Sequence, residues 1–211
     1  MIKLFGWPIS SAFYRACVAL DLKAIRYEPV LMDPDLKEHL EPAYLDVNPQ
    51  GLAPALVDGD LVLTQTMAIM EYLEEVSPRP PLLPNSSQAR ARVRSLAEIC
   101  NCEIHPIINR RVRLYLADDF GHTPEEVTQW LSHWYGKSFA ILEKLLANDS
   151  ATGRYCHGDT PTVADIYLVS LLSAAQIYGV DVSSYTTLLR IEAACLENPE
   201  FRERLPRLLA S

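Results

Sequence analysis

Ser10 and Ser11 stand where a short apolar run gives way to a helical pattern. A serine hydroxyl there can donate to an anion, and the positive end of the helix dipole acts in the same direction. Both favour a bound anion over its neutral acid. Gln65-Thr66 opens another helix, and helix N-termini are natural seats for a carboxylate. Further along, His105, Pro106, Asn109, Arg110 and Arg111 share one helical stretch. Neighbouring arginines differ by about 100° around a helix, so Arg110 and Arg111 cannot both point at one ligand. At most one of the two arginines can therefore face the same anionic ligand as His105 and Asn109. The competing reading pairs the arginines with Asp118, Asp119 or Glu103 at the surface. Cys100, Cys102 and His105 do not make a metal site, because i and i+2 lie on different helix faces.

These residues need elements to position them. Residues 2–7 read as a strand, and Phe13, Ala16, Cys17 and Leu20 mark the buried face of a following helix. On that face Cys17 is a small buried hydrophobe. Residues 26–31 read as a second strand, which Pro29 confines to an edge or a bulge. Residues 55–58 and 61–64 flank the Gly59-Asp60 turn of a hairpin, and a helix runs from Thr66 to Val76. A proline cluster, Pro78, Pro80, Pro81 and Pro84, ends this α/β domain. The rest reads as helices over residues 87–117, 125–147 and 163–178, the last apolar almost all round and therefore central. Pro106 predicts a kink in the first of them, and Thr162 with Asp165 predicts a capping box on the last. Trp130 and Trp134 read as packing, and Arg90, Arg92 and Arg94 as a solvated face. The expected domains are 1–78 and 87–211, joined by a linker over 79–86.

The chain has 211 residues, 49% hydrophobic and 22% charged, which suffices for a buried core. Its net charge of -8 argues against nucleic acid, which asks for a basic face. No leader is legible at the N-terminus, and no apolar run reaches the length of a membrane span. Five cysteines without a Cys-x-x-Cys pair fit reduced thiols and a cytoplasmic location.

Four motifs in order resemble the glutathione transferases over nearly the whole chain. They are Ser10-Ser11-x-x-x-Arg15, Asn48-Pro49-Gln50-Gly51-x-x-Pro54, Gln65-Thr66, and Gly158-Asp159-x-x-Thr162-x-Ala164-Asp165. The serine pair and the run from Ile104 to Arg111 most resemble the zeta class, which includes maleylacetoacetate and maleylpyruvate isomerases. The resemblance implies an α/β thioredoxin-like N-terminal domain plus an all-α C-terminal domain. It implies glutathione as cofactor, held by Ser10, Ser11, His39, Ala53, Pro54, Gln65, Thr66, His105 and Asn109. The Ala53-Pro54 bond is expected to be cis, turning the Ala53 backbone toward the cysteinyl amide. Ser10, Ser11 and Arg15 are the implied catalytic residues, and His105, Arg110 and Arg111 the substrate-binding ones. A homodimer with no membrane or nucleic-acid partner is implied as well.

The expected activity is glutathione-dependent cis-trans isomerisation of a maleyl-type diacid by reversible thiolate addition. Arg15, Arg110 and Arg111 are the cations available to stabilise the enolate. The chain also departs from the class. Ala12 replaces a cysteine, Ile9 an arginine, Cys17 the second arginine of the first-helix motif, and neutral Gln176-Ile177 a further arginine. A less charged pocket suits a transferase that conjugates or dehalogenates a small electrophile, and a non-catalytic binding module is the third reading.

Overall fold

The computed structural model describes Met1–Leu205. The end of the expected second domain, 206–211, lies outside the described residues. The chain divides into two compact units: Met1–Leu82 with Glu200–Leu205, and Leu83–Pro199.

In the first unit β1 (Ile2–Gly6) leads into α1 (Ser11–Leu22) and β2 (Tyr27–Leu31). A single 3-10 turn, Glu38–Leu40, and the short α2 (Pro42–Leu45) precede β3 (Ala55–Asp58), β4 (Leu61–Thr64) and α3 (Thr66–Val76). The sheet order is β2-β1-β3-β4, parallel between β1 and β2 and antiparallel elsewhere. Pro29 lies in β2, an edge strand, where its missing N–H breaks no inner ladder. Gly59 has φ +60°, the conformation that its hairpin turn demands. Gly6 is required for a different reason: a β-carbon there would lie 2.1 Å from the Phe13 ring, so α1 could not pack so closely on β1.

Two long-range connections complete this unit. The Tyr14 hydroxyl donates to the Phe201 carbonyl at 3.2 Å, and Arg204 pairs with Asp21 at 2.6 Å. A buried ion pair, Lys23 Nζ to Glu74 at 2.5 Å, ties the end of α1 to α3. Lys23 also donates to the Ser77 and Pro80 carbonyls, and Glu74 accepts from the Leu82 amide. The start of the proline segment is thereby fastened to the α/β unit.

The second unit is helical. The helix expected over 87–117 with a kink at Pro106 is a series of pieces: α4 (Ser87–Glu98), a π-helical segment Ile99–Ile104, α5 (His105–Ile108) and α6 (Arg110–Leu114). Pro106 occupies the first turn of α5, where a helix makes no use of an N–H. The break falls at Asn109 (ψ 167°), whose Oδ1 caps α6 by accepting from the Val112 amide. The interrupted ladder finds other donors. Asn109 Nδ2 serves the Pro106 carbonyl and Trp130 Nε1 the Ile107 carbonyl, at 3.2 and 2.7 Å.

After a second π-helical segment (Tyr115–Asp119) come α7 (Pro124–Ala147), α8 (Val163–Ile177) and α9 (Thr186–Leu196). Every residue from Val163 to Ala175 is buried, as the unbroken apolar pattern of α8 requires. Asp165, also buried, accepts from the amides of Thr162 and Cys156 and from the Thr162 hydroxyl, each at 2.7 Å. Arg92 does not belong to a solvated face. It donates to Asp149, Thr152 and the Cys156 carbonyl, clamping the loop that leads to α8. Among the described residues no helix is long and apolar enough to cross a membrane, and no cluster of His, Cys, Asp or Glu could hold a metal ion.

Candidate functional site

Ser10 is the N-cap of α1: its Oγ accepts from the Phe13 amide at 3.2 Å. A hydroxyl carries one donor and two acceptor lone pairs, so this cap leaves the O–H able to donate outward. Ser11 is the first residue of the helix proper. No acidic side chain sits in the first turn, so the helix dipole there is not already neutralised.

The strand register brings the other candidates of this unit to the same end of the sheet. Phe5 pairs with Ala55, and Ala55 with Thr64. The segment leaving β1 toward Ser10, the Ala53-Pro54 segment entering β3, and Gln65 leaving β4 are therefore neighbours. The Ala53-Pro54 bond is cis. Ahead of it, the Leu52 carbonyl accepts from both the Tyr44 hydroxyl and Asn48 Nδ2, and Asn48 Oδ1 accepts from the Gln50 amide. These bonds give the Asn48-to-Pro54 motif a physical role: they fix the backbone that Ala53 presents.

Gln65 has φ +71° and ψ 118°, a conformation rare for a side chain that is not glycine. Such strain collects at ligand sites, where the surrounding structure holds it in place. Gln65 precedes α3, Thr66 opens it, and the Gln65 amide donates to Gln50 Oε1 at 3.2 Å. Gln50 was legible only as part of its motif. His39 lies in the 3-10 turn with its ring 5.4 Å from Trp7, in the segment between β1 and Ser10. Trp7 drew no attention in the sequence because it reads as the last apolar residue of the strand predicted over 2–7. Arg15 is completely buried within α1.

In the helical unit, Asn109 caps α6 and His105 begins α5. Arg111, Val112, Tyr115, Leu116, Phe120 and Trp130 line a cavity of about 540 Å³, which Arg110 does not line. Trp130 and Trp134 meet edge to face at 5.7 Å, as packing residues. Cys17 is buried, and burial pushes its thiol up to about 11. Cys102 is exposed, but its hydrogen bond to Glu98 at 2.8 Å raises it to about 11 as well. Neither is a ready thiolate near neutral pH.

The fit to glutathione rests on three features of the first unit: a capped helix start with a hydroxyl donor to spare, a fixed backbone at Ala53, and a strained helix entry at Gln65-Thr66. Comparison with known proteins gives the same family. The glutathione S-transferase N-terminal domain matches residues 1–75, and the glutathione S-transferase C-terminal domain matches residues 128–210. The chain is 42% identical to a maleylpyruvate isomerase of a Ralstonia species, covering 97% of each chain. It is 41% identical to a maleylacetoacetate isomerase of Pseudomonas aeruginosa, covering 97% of this chain and 96% of that one. Among solved structures, a maleyl pyruvate isomerase described as a zeta-class bacterial glutathione S-transferase superposes with a TM-score of 0.95 at 42% identity, covering 98% and 97% of the two chains. A Methylobacterium extorquens maleylacetoacetate isomerase with bound malonate and glutathione gives 0.94 at 40% identity, with the same coverage. The chain belongs to the glutathione S-transferase family, in its zeta class.

Proposed function

We propose that this protein is a glutathione-dependent cis-trans isomerase of a maleyl-type diacid. The observation that carries the reading is the meeting of Ser10, Ala53-Pro54 and Gln65 at one end of the sheet, in a chain similar over nearly its full length to two such isomerases. Bound glutathione supplies a thiol that adds reversibly to a cis double bond and so permits rotation about it. Ser10 donates to the sulfur and favours its ionised form, with Ser11 beside it at the helix start. Fully buried Arg15 acts as a positioning residue behind them. Ala53 offers its backbone to the cysteinyl amide next to Pro54, Gln65 and Thr66 take the γ-glutamyl carboxylate, and His39 takes the glycine end. His105 and Asn109 belong to the cofactor-binding set, and His105, Arg110 and Arg111 to the substrate-binding set. Along the chain the domain limits are 1–78 and 87–211 about a linker at 79–86, with Glu200–Leu205 belonging to the first compact unit, and the working form is a cytoplasmic homodimer.

The Gln65 assignment has its own test. Gln65→Ala should raise the KM for glutathione about tenfold and leave kcat nearly unchanged, since the contact is made equally in ground and transition states. Equal losses in kcat and kcat/KM with an unchanged KM would move Gln65 out of the binding role.

A conjugating or dehalogenating transferase is the second reading, favoured by exposed Ile9 and by Gln176, whose amide is engaged with Glu192 at 3.1 Å. Maleylpyruvate or maleylacetoacetate supplied with catalytic glutathione separates the two. Conversion to the trans acid without thiol loss is expected. Stoichiometric thiol consumption with an electrophile would replace the isomerase by the transferase, and retention on glutathione resin without turnover would leave a binding module.

A further inference from the structure

Arg113 differs from the other arginines whose contacts are defined. Arg92 has four partners, Arg154 binds Glu197, and Arg204 binds Asp21. Arg113 lies with its guanidinium carbon 4.3 Å from the centre of the Tyr178 ring, and among the described residues it has no carboxylate partner. Its Nε is buried and makes no hydrogen bond. A guanidinium has five N–H donors, and a buried one left unserved costs free energy. A purely structural arginine would fill those donors from the protein, as Arg92 does.

One simpler role for Arg113 is to cap the end of α8, next to Tyr178. The carbonyls there are already served, since Ala174, Ala175 and Gln176 accept from the amides of Tyr178, Val180 and Gly179. Gly179 has φ +70°, as such a C-terminal closure requires. Gln176 is turned to Glu192, so neither the backbone nor the side chains at this end claim Arg113.

Helix geometry separates Arg113 from the neighbouring cations. Arg110 and Arg113, at i and i+3, share a face of α6, and Asn109 lies one turn behind Arg113. Arg111 is about 200° away from Arg113 and faces the cavity lined by Trp130.

We propose that Arg113, held over the Tyr178 ring, binds one carboxylate of the substrate and sets the preference for a diacid. This deepens the isomerase reading and rests on it for the identity of the substrate. Contact with the ring restrains the side chain, and a guanidinium can meet a carboxylate with two parallel N–H donors, which a lysine cannot do.

The test uses the glutathione-loaded protein, with maleate as a dicarboxylate probe in titration calorimetry and the maleyl substrate in steady-state kinetics. Arg113→Met should weaken maleate binding and raise the KM for the diacid by about 10- to 100-fold, leaving the KM for glutathione within twofold. Arg113→Lys should recover only part of the loss. Tyr178→Leu, which keeps the charge and removes the stack, should lose less than Arg113→Met. Maleamate, with one carboxylate replaced by an amide, should discriminate poorly between wild type and Arg113→Met. Absence of maleate binding in the wild type, or unchanged binding and KM in Arg113→Met, overturns the proposal. Maleate binding that depends on Arg113, in a protein that does not isomerise the diacid, would uphold this site and remove the isomerase reading.

Discussion

Ser10→Ala is expected to lower turnover by roughly 10²–10⁴-fold, the usual worth of a positioned hydrogen-bond donor. It should also raise the pKa of the bound thiol, moving the rising limb of the pH-rate profile to higher pH. The sign follows from which form the hydroxyl stabilises: a donor to sulfur favours the thiolate, and its loss favours the thiol. Ser10 also caps α1, and losing a serine cap to alanine costs about 1 kcal/mol of stability. Ser10→Gly separates the two roles, because glycine is a nearly adequate cap and no donor at all. Both variants should be equally slow, with Ser10→Gly the more stable. Thiolate absorbance of the bound tripeptide reads the pKa directly. Should Ser11→Ala be crippled and Ser10→Ala remain active, the roles of the two serines are reversed.

Glu74→Ala should destabilise the protein by about 3–5 kcal/mol, the range for breaking a buried ion pair by removing one partner. The Lys23 side chain is fully buried against Glu74, so the remaining ammonium would be left with only the Ser77 and Pro80 carbonyls. The Leu82 amide would lose its acceptor in the same change. Lys23→Met combined with Glu74→Leu should recover a good part of the loss, since an apolar pair of similar volume removes the uncompensated charge. Chemical denaturation checks both. A cost below about 1 kcal/mol for Glu74→Ala would mean that water reaches the pair and that it does not secure the proline segment.

The α/β unit was legible almost residue by residue because its signals are local. The Gly59-Asp60 turn fixes the hairpin, Ser10 marks the start of α1, and Pro29 admits only an edge strand. The region around Pro106 was misplaced for an instructive reason. Proline is the loudest helix breaker in a sequence, yet the first turn of a helix absorbs it, while Asn109 can leave the helix and cap the next one. Nothing in the sequence marks the positive φ of Gln65, since glutamine has no local preference for that conformation. Arg92 and Arg113 look alike among the arginines of the chain, and only their partners, distant in sequence, separate a clamp from an open cation. The candidate site residues of the first unit were legible because their motifs sit at element boundaries, where capping and turn residues stand out in a sequence.

The contacts of Tyr14 with Phe201 and of Asp21 with Arg204 bear on how the protein is made. The α/β unit is contiguous in space and discontinuous along the chain. Domains usually fold in the order in which they leave the ribosome, N-terminal first. Here α1 emerges early and must wait for partners from beyond residue 200, until the whole helical unit has been synthesised. A fragment ending at Leu82 is therefore not the first unit but that unit with one side uncovered. Its completion requires the segment around Phe201, which follows the whole helical unit along the chain.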